Sequence, residues 1–377
     1  MNEYPFYVMA KPIGSACNMA CRYCYYLEKT TARPIDDATL ERFIRQYIEA
    51  QPGPWVQFTW HGGEPTLVGI DFFRKVIPLQ RQYAQGKEIY NSLQTNGLLI
   101  NEEWCRFLAE EDWMVGLSID GDEAMHDHYR CQNDGKATFS TVMHAINLMN
   151  RFGVKWNAMA AITDYNAARP QAFYAFFKSI DCRWLQFTPV VERRSQGKLV
   201  AADQKGSLEP FSVTPEAWGD FLIGLFEAWQ KEDLGKVYVQ LFEAVVANLL
   251  GVMPPVCTMA AHCGNALVME ADGAVYDCDH FVFPHHYLGN VYDTTFEAML
   301  HSEKHQQFAR LKSDSLSDKC RHCQWLNICH GECPRNRFEP RGDNYLCEGY
   351  RRFFEHAYVF FKEIAENVSL TTSFRTQ

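Results

Sequence analysis

The sequence predicts an α/β fold, a partial (β/α)6 barrel of parallel strands followed by a cysteine-rich C-terminal domain. Short apolar strand patterns alternate with helical periodicity through the first half of the chain, which is the signature of parallel βα units. From Pro254 onward the character changes, and that region holds eight of the fourteen cysteines. The length of 377 residues also exceeds the ~250–300 at which a single core stops growing. The expected division is 1–235 for the barrel and 236–377 for the cysteine-rich domain with its closing helix.

In chain order, strands are expected at Tyr7–Pro12, Val56–Trp60, Ile89–Gln94, Val115–Ile119, Trp156–Ile162 and Leu185–Pro189. Helical periodicity lies between them at Ala38–Ala50, Asp71–Ala84, Glu102–Glu110, Phe139–Phe152 and Gln171–Ile180. Right-handed crossovers wind such units into a curling sheet, and six are fewer than the eight of a closed barrel. A site is then expected at the C-terminal ends of the strands. Residues Glu192–Ser212 are polar and aperiodic and read as a loop. A helix from Pro215 to about Asp233 follows. Ala266–Tyr276 reads as a hairpin turning at Asp272-Gly273. The last helix sets Tyr350, Phe353, Phe354, Ala357, Tyr358 and Phe361 on one face, as a core-facing helix would.

The formal charge is −10 and no Lys/Arg block stands out, which argues against nucleic acid or an anionic membrane as partner. The start has no secretory signal features, and no apolar run reaches the ~18–20 residues of a membrane span. The chain therefore reads as cytoplasmic. In a reducing compartment fourteen cysteines point to metal binding rather than to disulfides.

Cys17-Asn-Met-Ala-Cys21-Arg-Tyr-Cys24 follows the first strand directly. Three thiolates on one loop hold three irons of a 4Fe–4S cube and leave the fourth open. The amino and carboxylate groups of S-adenosylmethionine (SAM) suit that open position. Zinc is the competing metal, but it closes structural sites with four ligands, and the nearest histidine is His61.

The C-x3-C-x2-C spacing, with an aromatic before its last cysteine, resembles the signature of the radical SAM superfamily. His61-Gly62-Gly63-Glu64-Pro65, closing the second strand, resembles the superfamily's Gly-Gly-Glu motif. The resemblance implies that Gly62, Gly63 and Glu64 hold SAM, with Glu64 accepting the methionyl ammonium. It assigns further SAM contacts to Ser118, Arg130, Tyr23 and Val191. Cys257, Cys263 and Cys278, then Cys320-x2-Cys323-x5-Cys329-x3-Cys333 and Cys347, resemble the SPASM domain of radical SAM enzymes. Eight cysteines suffice for two fully ligated cubes. The resemblance gives Cys257, Cys263, Cys278 and Cys333 to one auxiliary cluster and Cys320, Cys323, Cys329 and Cys347 to another. With the SAM-binding cluster of Cys17, Cys21 and Cys24, this makes three 4Fe–4S clusters. Two four-cysteine zinc sites are the alternative. Cys105, Cys131 and Cys182 fall outside every motif.

Within the SPASM group the chain resembles the anaerobic sulfatase-maturating enzymes, from Lys11-Pro12 to Cys347. The stretches that carry this are Trp60–Leu67, Asn91–Gly97, Leu185–Phe187, Val275–Phe281 and Leu288–Asn290. The resemblance implies oxidation of a sulfatase Cys or Ser to Cα-formylglycine through a 5′-deoxyadenosyl radical. It implies Asp279 as proton acceptor and Tyr26, His61, Gln94 and Asn96 as contacts to the peptide. Some members carry Gln where His61 stands, so the choice between Cys and Ser stays open. Asp277 shares a strand face with Asp279 and competes for the role of base. A carboxylate beside an anionic cluster is expected to have a raised pKa. The implied partners are a sulfatase polypeptide and a reducing donor such as flavodoxin or ferredoxin. Two other functions fit parts of the pattern: a radical SAM peptide cyclase forming thioether or carbon–carbon crosslinks, and a non-catalytic zinc-stapled module.

Overall fold

The structure is a computed structural model and describes residues 5–26, 33–200 and 204–375. The expected strands are present: β1 (Tyr7–Ala10), β2 (Trp55–Trp60), β3 (Glu88–Thr95), β4 (Met114–Ser118), β5 (Lys155–Ile162) and β6 (Trp184–Pro189). Helices α1 (Asp37–Ala50), α2 (Ile70–Tyr83), α3 (Glu102–Glu110), α4 (Glu123–Tyr129) and α5 (Phe139–Phe152) run between them, and Pro170–Ser179 forms another. Asp36 starts α1 by accepting from Thr39 N at 2.7 Å, and Gly153 ends α5 in the left-handed conformation.

The chain divides into two compact units that interleave along the sequence. The first comprises Met1–Ile119, His126–Asn157 and Gly264–Ala309. Within it β1, β2, β3 and β4 pair in parallel, with Val8 against Phe58, Phe58 against Asn91 and Leu93 against Val115. On the far side of β1 the strand Ala266–Met269 also pairs in parallel, Tyr7 against Ala266. The expected hairpin follows, returning as Ala274–Tyr276 through Asp272-Gly273. Asp272 accepts from Ala274 N at 3.1 Å, and Gly273 supplies the positive φ of 81°. A further antiparallel strand, Tyr287–Asn290, extends it beyond the expectation. The core is aromatic: Phe43 and Tyr47 of α1 meet Phe58 of β2, and Trp60 meets Phe73 of α2. Phe58 and Trp60 reach that core together because alternate strand residues share a face.

The second unit comprises Asp120–Met125, Ala158–Cys263 and Arg310–Gln377. Here β6 pairs in parallel with β5 and with Tyr238–Val239. Helices Pro215–Trp229, Gln240–Leu249 and Cys347–Arg375 pack through Trp229, Phe242, Phe353 and Phe361. The expected stripe on the last helix is buried at Tyr350, Phe353, Phe354, Ala357 and Phe361, with Tyr358 half-buried.

Glu192–Ser212 is not the plain loop expected. Arg193–Ser195, Lys198–Leu199 and Ser207–Leu208 form a small antiparallel sheet, while residues 201–203 lie outside the described residues. Its strands are two or three residues long and mostly polar, so no apolar alternation announces them. The readable signal is the two-residue turn Gln196-Gly197, whose φ values of 51° and 78° suit a tight hairpin.

Candidate active site

Cys17, Cys21 and Cys24 lie on the loop after β1, and no disulfide forms among the described residues. The segment after α4 fastens this loop: Ala20 N donates to Cys131 O at 2.8 Å and Arg22 N to Tyr129 O at 3.1 Å. Cys17 Sγ accepts from Met19 N at 3.4 Å and lies 3.8 Å from Asn96 Nδ2. Burial pushes the Cys17 thiol up to about 11, and these donors act against that. Donors aimed at sulfur favour the thiolate, the form that binds metal. Cys131 Sγ reaches only the Ala20 carbonyl, while Cys105 and Cys182 are buried.

The Gly-Gly-Glu segment is docked on the start of the same loop. Gly63 N donates to Gly14 O and Glu64 N to Ala16 O, both at 2.8 Å. A Cβ on Gly63 would stand 2.0 Å from Ala16 O, so only glycine permits this approach. Glu64 is buried, and its Oε1 accepts from Thr66 N, Thr66 Oγ1 and Thr95 Oγ1 at 3.1, 2.6 and 2.7 Å. Its Oε2 accepts from Asn96 N at 2.7 Å. The carboxylate therefore clamps the ends of β2 and β3 together, leaving one lone-pair position on Oε2 for a ligand cation.

Gln94 Nε2 donates to Ser118 Oγ at 3.0 Å, joining the ends of β3 and β4. Asn96 Nδ2 donates to Asn18 Oδ1 at 2.8 Å, so this amide serves the cysteine loop. Arg130 is buried, with its guanidinium 5.6 Å from the Tyr23 ring. Val191 is buried in the second unit.

Asp279 anchors a polar cluster in the first unit. It forms an ion pair with Lys11, whose side chain is fully buried, and accepts from the Tyr25 hydroxyl. The Lys11 ammonium also sits 4.1 Å from the centre of the Tyr26 ring, and Tyr26 OH donates to Glu270 Oε2 at 2.7 Å. Burial pushes Asp279 up, but Lys11, His61 and His280 together hold it below the ordinary carboxylate range. A buried ammonium thus faces the carboxylate. His61 is pulled down to about 4 by burial and by Lys11. Its Nδ1 accepts from Gly62 N at 2.7 Å, which leaves Nε2 as the donor of a neutral ring. Asp277 is committed elsewhere: its oxygens take His286 Nδ1 at 2.9 Å and His305 Nδ1 at 2.7 Å.

Sequence reasoning gave no role to Lys11, Tyr25 or Glu270. Lys11 and Glu270 carry a readable signal, a charge directly after an apolar strand run (Tyr-Val-Met-Ala-Lys and Ala-Leu-Val-Met-Glu).

Among the described residues no three His, Cys, Asp or Glu side chains converge as ligands of a single ion. In the second unit the cysteines gather in two sets. Cys320, Cys323, Cys329 and Cys347 line one cavity. Cys333 is not among its lining residues and lies within electrostatic reach of Cys257 and Cys263. Cys278 belongs to the first unit. Four thiols around one cavity are a donor set that suits a 4Fe–4S cube, and three on the first loop suit a cube with an open iron.

Comparison with known proteins agrees with this chemistry. The radical SAM superfamily model matches residues 12–177, and an iron–sulfur cluster-binding domain model matches 261–324. A serine-type anaerobic sulfatase-maturating enzyme of Bacteroides thetaiotaomicron is 48 % identical over 93 % of this chain and 89 % of its own. A cysteine-type enzyme of Clostridium perfringens is 33 % identical over 97 % and 99 %. The solved structure of native anSMEcpe with bound AdoMet and Cp18Cys peptide superposes with a TM-score of 0.89, at 33 % identity, over 97 % of this chain and all of that one. No helix among the described residues is long and apolar enough to cross a membrane. Identity of this extent, with a matching fold over nearly the whole chain, shows that the chain belongs to the anaerobic sulfatase-maturating enzymes of the radical SAM superfamily.

Proposed function

We propose that this chain oxidises the Cβ of a sulfatase Ser or Cys to Cα-formylglycine, with Asp279 as the proton acceptor. The observation that carries this is Asp279 itself, ion-paired with Lys11 and adjacent in sequence to Cys278. Loss of a hydrogen atom, a proton and an electron from substrate requires a base near an electron acceptor.

The chain's radical SAM domain binds a 4Fe–4S cluster with SAM, and its C-terminal domain binds auxiliary iron–sulfur clusters. When bound, the SAM-bearing cluster supplies hydrogen-atom abstraction from carbon. In this reading Cys17, Cys21 and Cys24 hold it. Gly62, Gly63, Glu64, Ser118, Arg130, Tyr23 and Val191 hold SAM. Cys257, Cys263, Cys278 and Cys333 ligate the first auxiliary cluster, and Cys320, Cys323, Cys329 and Cys347 the second. The barrel runs over 1–235 and the auxiliary-cluster domain over 236–377. Neutral His61 donates from Nε2 toward substrate, while Tyr26, Gln94 and Asn96 line the approach. Asp279 takes the proton of the hydroxyl or thiol, and the auxiliary clusters, when bound, would supply the electron acceptor. A flavodoxin or ferredoxin donor and a cytoplasmic place of action belong to the same reading.

The greater identity to a serine-type relative than to a cysteine-type one favours Ser as the first substrate to test. The enzyme would be reconstituted anaerobically with SAM, dithionite and peptides containing Ser-x-Pro-x-Arg or Cys-x-Pro-x-Arg. A loss of ~2 Da from the Ser peptide or ~18 Da from the Cys peptide, with 5′-deoxyadenosine and a hydrazide-reactive aldehyde, is the expected result. A ~2 Da loss without aldehyde would transfer the chain to crosslink formation.

A further inference from the structure

Between Cys329 and Cys333 the chain makes an unusual turn. His330, Gly331 and Glu332 all have positive φ, at 49°, 72° and 54°. Two of these are not glycine, and such residues hold this strained conformation only where their surroundings impose it. Arg337 imposes it. Its Nε donates to Gly331 O at 3.0 Å, and its Nη2 to His330 O and Glu332 O at 3.2 and 3.3 Å. Its Nη1 donates to Lys312 O at 2.7 Å and Ser315 Oγ at 2.9 Å. All five N–H donors of the guanidinium are thus used, three of the groups they meet being the carbonyls of the turn. Gly331 is shaped for this contact, since a Cβ there would stand 2.5 Å from Arg337 Nη2.

The turn is where the chain leaves one cysteine set for the other. Cys329 faces the cavity shared with Cys320, Cys323 and Cys347, whereas Cys333 joins Cys257 and Cys263. The Arg337 charge interacts with Cys320 and Cys329 of the first set and with Cys333 of the second.

We infer that Arg337 is the positioning residue that splits Cys329 from Cys333 between two auxiliary clusters. A planar fork serves three adjacent carbonyls at once, which an ammonium cannot do. This rests on the auxiliary-cluster assignment proposed above.

The test uses a chain in which Cys17, Cys21 and Cys24 are replaced by Ala, so that only auxiliary clusters remain. The parent must carry about eight irons after anaerobic reconstitution; a parent without them would sink the cluster assignment and leave Arg337 aside. In this background Arg337→Lys keeps the charge and loses the fork. Iron and sulfide content and the EPR signals of the reduced clusters read the outcome. Arg337→Lys is expected to lose about four irons per chain or more, with the signal of at least one cluster. Parent iron content and parent signals in Arg337→Lys overturn the inference.

Discussion

The ammonium of Lys11, the first residue past β1, forms an ion pair with the carboxylate of Asp279, and the Lys11 side chain is wholly shielded from water. Removing one partner of a buried pair leaves the other uncompensated, at about 3–5 kcal/mol. Lys11→Met is therefore expected to lower the melting temperature and to cut peptide oxidation at least ~10-fold, with 5′-deoxyadenosine formation reduced less. Parallel assays of the two products check this. Equal losses in both would place Lys11 with SAM rather than with Asp279.

Asp279→Asn keeps the size and the hydrogen-bonding shape of the side chain but removes the proton acceptor. Peptide oxidation should fall by ~100-fold or more while SAM cleavage continues. A variant that forms aldehyde at the parent rate would show that another group takes the proton.

Gly63→Ala drives a methyl group into the Ala16 carbonyl, a backbone atom with no freedom to swing away. The variant should lose SAM binding and the SAM-binding cluster, read as a drop of about four irons per chain. Gly53→Ala, where a Cβ meets nothing within 4 Å, is the control and should match the parent. Full iron and normal SAM affinity in Gly63→Ala would contradict the docking seen between the two loops.

His61 contributes a defined pH dependence. Its imidazole ionises at about 4 in the folded chain against 6.5 when unperturbed. Between those values the unfolded chain binds the extra proton, so stability is full above 6.5 and declines as the pH falls toward 4. Melting temperatures taken from about pH 7.5 down to about pH 5 should fall, and His61→Gln should fall less steeply. Parallel curves for parent and variant would mean that His61 does not carry the effect.

The six strands were legible to within two residues because each joins an apolar run to a clear flanking helix period. The sheet at Arg193–Leu208 was not, since polar residues on both faces leave no alternation to read. The three cysteine sets were legible as spacings, but their partition between Cys329 and Cys333 came only with the resemblance. No local pattern reveals it, because it depends on a turn held by a residue four positions further on. The ion pair of Asp279 was hidden for a related reason. Lys11 is 268 positions away, and only the fold brings it there. The interleaving of the two units is equally hidden, because the parallel pairing of Ala266–Met269 with β1 joins segments that share no local signal.

That same pairing sets a clock on biosynthesis. Strand β1 emerges from the ribosome long before its partner, yet one of its two edges is covered only by residues made about 260 positions later. At ~5–20 residues per second the nascent chain spends roughly ten seconds to a minute with that edge bare and the adjacent cysteine loop unsupported by Asp279's hairpin. During that interval the loop stands next to an open strand able to pair with another chain. Cluster delivery before the hairpin arrives would therefore meet a half-built receptacle, and overexpression, which multiplies nascent chains, should favour aggregates rich in metal-free protein.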